Sequence, residues 1–410
     1  MNRRLLFLGL AAVCSGLVGC ARPNDDPHHL TLWGDFEPAE QALLERHIAW
    51  FTAEHPEITI EPIYLQTESL RNQFQTAALA DAGPELVYGA SDQVGPFSIM
   101  GLIEPLEATI DPDTLAQYVD SAKPSLEGHV YALADQVGNH LTLGFNRALV
   151  ASAPLSTEEW LRIAREQTVD LDGDGRPDRY GIVMNLSEPF WLVPWLGAYG
   201  GWVMDQNGDP TLDSPAMTDA LRFFQRLQDE GVIPDGCDYQ LAETLFKEGD
   251  AAFIVNGPWA WKGYRDEGID VGLGVIPPVD GADAFPTPMT ACKAYSVRAR
   301  LPEAKRELAY TFLAFLTSAR VVGDIASELG VLPSRTDVGE WPAVVSNETV
   351  QASWAQLRKG QLMPIVPEMR AIWDVMRPAF QQVQGGSMSA EAAPAWMQEQ
   401  AVRKIEEMRL

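Results

Sequence analysis

Short β-type runs alternate with amphipathic helical stretches along this chain, and that alternation restricts its fold more than any other feature. Leu30-Thr31-Leu32-Trp33 reads as a strand. Glu40 to Phe51 then places Leu43, Leu44, His47, Ile48 and Phe51 on one helical stripe. Ile58-Thr59-Ile60-Glu61-Pro62-Ile63 alternates as a second strand, and Glu85-Leu86-Val87-Tyr88 reads as a third. Such a β-α-β opening implies a parallel sheet with helices on its faces, hence an α/β architecture. Later helices carry start signals. Ser156-Thr157-Glu158-Glu159 predicts a capping box, with Ser156 at the N-cap and Glu159 at N3. Ser214-Pro215 opens a helix whose apolar face is Met217, Leu221, Phe224 and Leu227, and Gly231 ends it. Further helices are expected from Pro302 through Leu308, Phe312 and Phe315, and over 392–408.

The N-terminus speaks to location. Met1-Asn2-Arg3-Arg4 precedes an apolar stretch from Leu5 to Val18 that is too short for a membrane span, which needs about 20 residues. It reads as a secretory signal over 1–19. Its end, Leu17-Val18-Gly19-Cys20, resembles the bacterial lipobox, in which the cysteine is acylated and becomes the first mature residue. Acyl chains anchor without spanning, at roughly 0.8 kcal/mol per buried CH₂. The polar segment 20–29 then serves as a tether. Beyond it, 46% apolar and 21% charged residues place the chain among globular proteins of two or three domains. Carboxylates outnumber Lys and Arg 57 to 30, which argues against nucleic acid and against adsorption to anionic lipid. Contact with the membrane is therefore expected only through the anchor. Cys237 and Cys292 remain after processing, and their spacing leaves open whether they pair.

Several blocks together resemble the extracellular solute-binding proteins of ATP-driven importers, in the maltose/maltodextrin-binding branch. Trp33-Gly34-Asp35 with Pro56-Glu57-Ile58-Thr59-Ile60 resembles the family's opening unit. Gly83-Pro84-Glu85-Leu86-Val87-Tyr88 and Asp92-Gln93-Val94-Gly95 resemble its second block. Tyr131-Ala132-Leu133 and Leu143-Gly144-Phe145-Asn146-Arg147 resemble the stretch crossing between lobes, and Asn185-Leu186-Ser187-Glu188-Pro189-Phe190 a later motif. Phe246-Lys247-Glu248-Gly249-Asp250 leading to Asn256-Gly257-Pro258-Trp259-Ala260-Trp261 is the most specific match, and Met363-Pro364, Pro367-Glu368-Met369 and Trp373…Arg377 complete it. The resemblance implies a two-lobed periplasmic-binding-protein-like fold of class II, with a multi-strand hinge and the ligand cleft at the interface. It places the N-terminal lobe at 30–139 plus 292–337 and the C-terminal lobe at 140–291 plus 338–410.

By the same resemblance the protein is a monomeric binder, not an enzyme. It captures a maltodextrin-like oligosaccharide and delivers it to a permease and its ATPase, from the periplasmic or outer face of a membrane. A saccharide offers C–H faces and in-plane hydroxyls, so its site needs flat aromatic rings and charged or amide groups. Trp259 and Trp373 match stacking residues of the branch, and Phe190 falls where it often has Tyr. Asp35, Asp92, Glu188 and Arg377 match polar contacts. Glu37 is counted with them, although Phe36 and Glu37 fall where the best-known members carry a cation. Asn139 replaces a frequent Glu and Gln93 a frequent Arg, so hydroxyl recognition is expected to differ from that of maltose binders. Trp261 reads as packing, while Trp191 and Trp195 stay open between core and site.

No cofactor is required. Asp170-Leu171-Asp172-Gly173-Asp174-Gly175-Arg176-Pro177-Asp178 matches the first nine positions of a calcium loop, with Asp170, Asp172, Asp174, Arg176 and Asp178 as the ligand positions. Gly181 stands at position 12 in place of the bidentate Glu, so this is a candidate structural calcium site or an acidic surface turn. Two other readings compete on function. One is a binder of another solute, a polyol or a glycerophosphodiester; a phosphate ligand would want an electropositive cleft, whereas the matched positions supply chiefly acids and amides. An exported carbohydrate-active hydrolase would also pair carboxylates across a sugar, but Gly-x-Ser-x-Gly, His-Glu-x-x-His, phosphate-loop and dinucleotide patterns are absent.

Overall fold

The computed structural model describes residues 26–279 and 285–409, so the signal over 1–19 and the anchor Cys20 lie outside the described residues. The expected opening is present. Strand His29–Gly34, helix Pro38–Glu54 and strand Thr59–Tyr64 follow one another, and His29–Gly34 pairs in parallel with both Thr59–Tyr64 and Leu86–Ala90. Leu43, Leu44, His47 and Phe51 of the helix are buried, as the stripe requires. Pro62 lacks an amide proton and sits on the sheet's outermost strand, where none is needed on the open side.

The sheet is mixed rather than all-parallel. Cys292–Val297 enters it antiparallel to Leu86–Ala90 on one side and to Leu133–Val137 on the other, and Leu332–Pro333 closes the far edge. A second sheet of four strands orders Val271–Gly274, Thr142–Asn146, Ala251–Asn256 and Tyr180–Val183. Each sheet has its own large core: Leu30 to Val137 and Cys292 to Leu332 pack in one, Leu141 to Ala291 and Met363 to Ala401 in the other. The two cores are the two lobes. Val338, Val344 and Val350 pack with the first core, so the expected break after 337 cuts through a continuous lobe. The reason is the helix Glu348–Leu357, which touches both bodies. Val350 faces the first core, while Gln356 accepts from the Ile276 amide at 2.8 Å and Thr349 from Arg265 at 2.7 Å.

Chain crossings are tied to one another. The Asn139 amide donates to the Ala291 carbonyl at 2.9 Å, and the Met363 amide to Thr290 at 2.9 Å. Cys237 and Cys292 are free, buried and in separate cores, which excludes their pairing in this arrangement. Local signals hold with one change. Ser156 Oγ accepts from the Glu159 amide at 3.1 Å, but the Glu159 carboxylate reaches past the N-cap to the Leu155 amide at 2.7 Å. Ser214 caps Pro215–Asp229, whose Met217, Leu221, Phe224 and Leu227 are fully buried. Among the described residues no single helix is long and apolar enough to cross a membrane.

Beneath the first sheet lies a polar cluster that the core cannot dilute. Tyr88 and Tyr295 donate to the two oxygens of Asp135 at 2.9 and 3.1 Å, and Gln136 donates to Tyr88 Oη and to Glu40. Burial raises the Asp135 carboxyl to about 7, against the two tyrosine bonds and with the Glu40 charge adding. A folded-state value above the ordinary 3.8 means that its contribution to stability is complete below about pH 4. That contribution is lost as pH rises through about 7. Asp135→Asn cannot ionise, so its melting-temperature deficit against the parent should shrink between about pH 4 and about pH 8. Thermal melts across that range check this; a constant or growing deficit would mean that Asp135 is ionised in the fold.

Candidate functional site

Where the first strand ends, Phe36 turns inward and stacks on Tyr88 with ring centroids 4.4 Å apart. A side chain on Gly34 would stand 2.0 Å from the Phe36 ring, so glycine is what permits this turn. Asp35 and Glu37 flank the buried ring. Asp35 Oδ2 accepts from Thr67 Oγ1 at 2.5 Å. Glu37 is the N-cap residue of Pro38–Glu54, and its amide donates to Glu40 at 2.9 Å.

From Thr67 a helix runs to Leu79, and Glu68 and Arg71 lie one turn apart on it. Arg71 donates to the buried Asp92, which sits in the short turn after Leu86–Ala90. Glu68 faces the other lobe. It accepts from Arg370 Nη1 at 2.9 Å and from Arg377 Nη2 at 3.2 Å, both on the second lobe's helix Glu368–Gln384. Arg377 Nε also meets both oxygens of Glu188, at 2.8 and 3.0 Å. One ionic chain therefore joins Asp92, Arg71, Glu68, Arg377 and Glu188 across the cleft. Burial alone would raise the Glu68 carboxyl, but Arg71, Arg370 and Arg377 outweigh it and hold it below its ordinary value.

A second contact crosses nearby. Tyr239 Oη donates to Glu37 Oε1 at 3.1 Å and accepts from Trp259 Nε1 at 3.1 Å. Burial raises the Glu37 carboxyl to about 7; Glu40 and Glu243 add to the shift, and Lys293 and the Tyr239 bond oppose it. Trp259 is half-buried and lies over Gly257, where a Cβ would come within 1.9 Å of the indole. Backbone also meets backbone between the lobes. A Cβ on Gly95 would stand 1.7 Å from the Ile365 carbonyl oxygen, so the closed approach depends on that glycine.

Glu37, Asp92, Glu188, Trp259 and Arg377 thus converge on the interface. Others lie differently. Trp373 is 6% exposed and packs in the second core one helical turn before Arg377. Phe190 is half-buried with its ring edge-on to Trp191 at 5.7 Å. Gln93 is buried and folds its amide over Gly89, and Asn139 sits at the lobe crossing. Trp261 is wholly buried against Gly144. Trp195 is wholly buried too, and Trp191 donates to the Val255 carbonyl at 2.7 Å, so both are core residues. Sequence reading missed Glu68, Arg71, Arg370 and Tyr239. Charges on a helix read as its solvated face, and nothing local marks which ones meet another lobe.

In the acidic loop, Asp170, Asp172 and Asp174 bring ligand atoms within 4.8 Å of one another. Asp178 does not join them. Its Oδ2 accepts from the Leu171 and Asp172 amides at 2.5 and 3.2 Å, because the loop's tight turns aim those amides at it. Arg176 enters through its backbone, its amide donating to Asp174 at 2.8 Å.

Two α/β lobes, strands crossing between them and a polar, aromatic interface define a binding protein that encloses its ligand by lobe closure. The chain belongs to the bacterial extracellular solute-binding protein family, whose model matches residues 47–355. The maltotriose-binding protein of Pyrococcus abyssi (strain GE5 / Orsay) is 27% identical over 363 residues, 86% of this chain and 77% of that one. The galactooligosaccharide-binding protein of Bacillus subtilis (strain 168) is 24% identical over 413 residues, 95% of this chain and 94% of that one. Among solved structures, the maltose/maltodextrin-binding domain MalE from Bdellovibrio bacteriovorus bound to maltotriose superimposes with a TM-score of 0.90. The two are 36% identical, covering 92% of this chain and 100% of that one.

Proposed function

We propose that this protein captures a maltodextrin-like oligosaccharide between its lobes and delivers it to an importer permease and its ATPase. The observation that carries the reading is the convergence of Trp259 with Glu37, Asp92, Glu188 and Arg377 on one interface between lobes. A ring for C–H faces and charged groups for hydroxyls is what a saccharide needs. The likeness to a maltotriose-bound structure supports the same ligand class. In this reading the protein acts as a monomeric receptor and not an enzyme, in keeping with a solute-binding family and with relatives named for binding. Calorimetry with a panel of maltose, maltotriose and longer maltodextrins should show binding by the parent. Trp259→Ala should weaken it by about tenfold or more, since burying a large ring contributes roughly 1.5–3 kcal/mol, and the melting transition should survive. Absence of binding across the panel overturns the ligand class; release of glucose from maltotriose overturns the receptor reading.

Anchoring belongs to the same proposal. An acyl chain on Cys20 would keep the receptor beside its transporter at an exported membrane face. Cys20→Ala should move the protein from the membrane to the soluble fraction on cell fractionation, and unchanged partition would remove the anchor.

The loop Asp170–Asp178 supports one subsidiary reading, a structural calcium ion held by Asp170, Asp172 and Asp174. With Asp178 turned to backbone amides and no Glu at position 12, affinity would be low. Millimolar calcium should raise the melting temperature of the parent and leave Asp172→Asn unchanged; no shift in the parent excludes the ion.

A further inference from the structure

Tyr239 opens the helix Tyr239–Glu248, and no sequence motif marks it for a role. Its position is set from three sides. Asp238 caps the helix by accepting from the Leu241 amide at 2.9 Å. One turn on, Glu243 accepts from Asn256 Nδ2 at 2.8 Å and pairs with Lys247 at 2.7 Å, which docks the helix on the strand leading to Trp259. The Tyr239 ring itself packs edge-on to Trp191 with centroids 6.0 Å apart.

Hydrogen-bond direction at its hydroxyl is forced by its neighbours. An indole N–H can only donate, so Trp259 Nε1 gives its proton to Tyr239 Oη. The hydroxyl's single proton is then left for Glu37 Oε1. No other side chain bridges Trp259 and Glu37 among the described residues. Trp259 has one ring face on Gly257 and its nitrogen edge on Tyr239, so only its remaining face can be offered to a ligand. Glu37 belongs to the first lobe and lies 202 positions from Tyr239, so this second bond exists only with the lobes together.

We propose that Tyr239 is a positioning residue, orienting the Trp259 ring and coupling that orientation to lobe closure through Glu37. Ring placement and closure then reinforce each other. An open protein leaves the hydroxyl proton without its carboxylate partner, while a closed one completes the relay and fixes the stacking face. Specificity follows from the same geometry, because a ligand must fit the face that the relay leaves available.

The inference rests on the oligosaccharide reading, and the experiment separates the two. Maltotriose titrations are run on the parent, Tyr239→Phe, Glu37→Gln, Glu37→Ala and the double variant Glu37→Ala/Tyr239→Phe. The Trp259 indole N–H resonance and the inter-lobe distance, from spin labels placed one on each lobe, are recorded with and without sugar. Tyr239→Phe keeps the ring but strands a donor and an acceptor, so affinity should fall about ten- to a hundredfold. The indole resonance should move and the distance distribution should shift toward open. Glu37→Gln keeps a carbonyl acceptor for the Tyr239 hydroxyl and should lose less affinity than Glu37→Ala, and the double variant should lose less than the product of the two single losses. Parent-like affinity, indole resonance and distances in Tyr239→Phe overturn the inference. If the parent binds no maltotriose, the ligand reading falls instead, and the ligand-free resonance and distances of Tyr239→Phe still decide the relay.

Discussion

Lys293 is as buried as the leucines around it, and its ammonium group meets Glu40 Oε2 at 2.5 Å. Burial alone would lower its proton affinity; Glu40 foremost, with Asp35 and Glu37, more than reverses that and keeps it charged. The pair matters because of where its members stand. Lys293 lies on the strand that returns from the second lobe, and Glu40 in the first turn of the helix that begins at the cleft. Removing one partner would leave an uncompensated charge in a core, at a cost of about 3–5 kcal/mol. The returning strand, the helix start and the Asp35–Glu37 turn are therefore held as one unit. Every cross-cleft contact made by Glu37 inherits its position from that pair.

Contacts between the lobes are of another kind. At the Arg377–Glu68 bridge the side chains are 24% and 40% exposed, against 8% and 4% for Lys293 and Glu40. Exposed or half-exposed pairs contribute about 0–1 kcal/mol each. The Glu68 cluster therefore guides closure without locking it, and a ligand's preference for the closed state can still move the equilibrium. Rigid lobes and a weakly biased interface suit a protein that must hold a solute and then release it.

Much of each lobe was legible in the sequence because local chemistry decides it. The Ser214 cap, the Met217–Leu227 stripe and the opening strands depend on neighbours within a few residues, and they stand as expected. The place of the strand Cys292–Val297 between Leu86–Ala90 and Leu133–Val137 joins segments far apart in the chain, and nothing local to any of them announces the pairing. Likewise nothing local marks which lobe Val338, Val344 and Val350 belong to, and only packing assigns them to the first. The candidate site divides the same way. Trp259, Glu188 and Arg377 carried family resemblance, whereas Glu68, Arg71 and Tyr239 acquire meaning only from what the opposite lobe brings to them.

That division also bears on the acidic excess of the chain. A net charge of −27 would repel lobes that close on each other if its carboxylates crowded the interface unpaired. Instead Arg71, Arg370 and Arg377 meet Asp92, Glu68 and Glu188 there, and Lys293 meets Glu40 behind Glu37. Among the described residues no cation forms an ion pair with Glu37, and burial raises its carboxyl to about 7. Its partner is a neutral hydroxyl, which can donate whether the carboxyl is ionised or not. The cleft thus joins a charge-balanced ionic chain to a relay that tolerates protonation, so closure does not require every acid at the interface to be ionised.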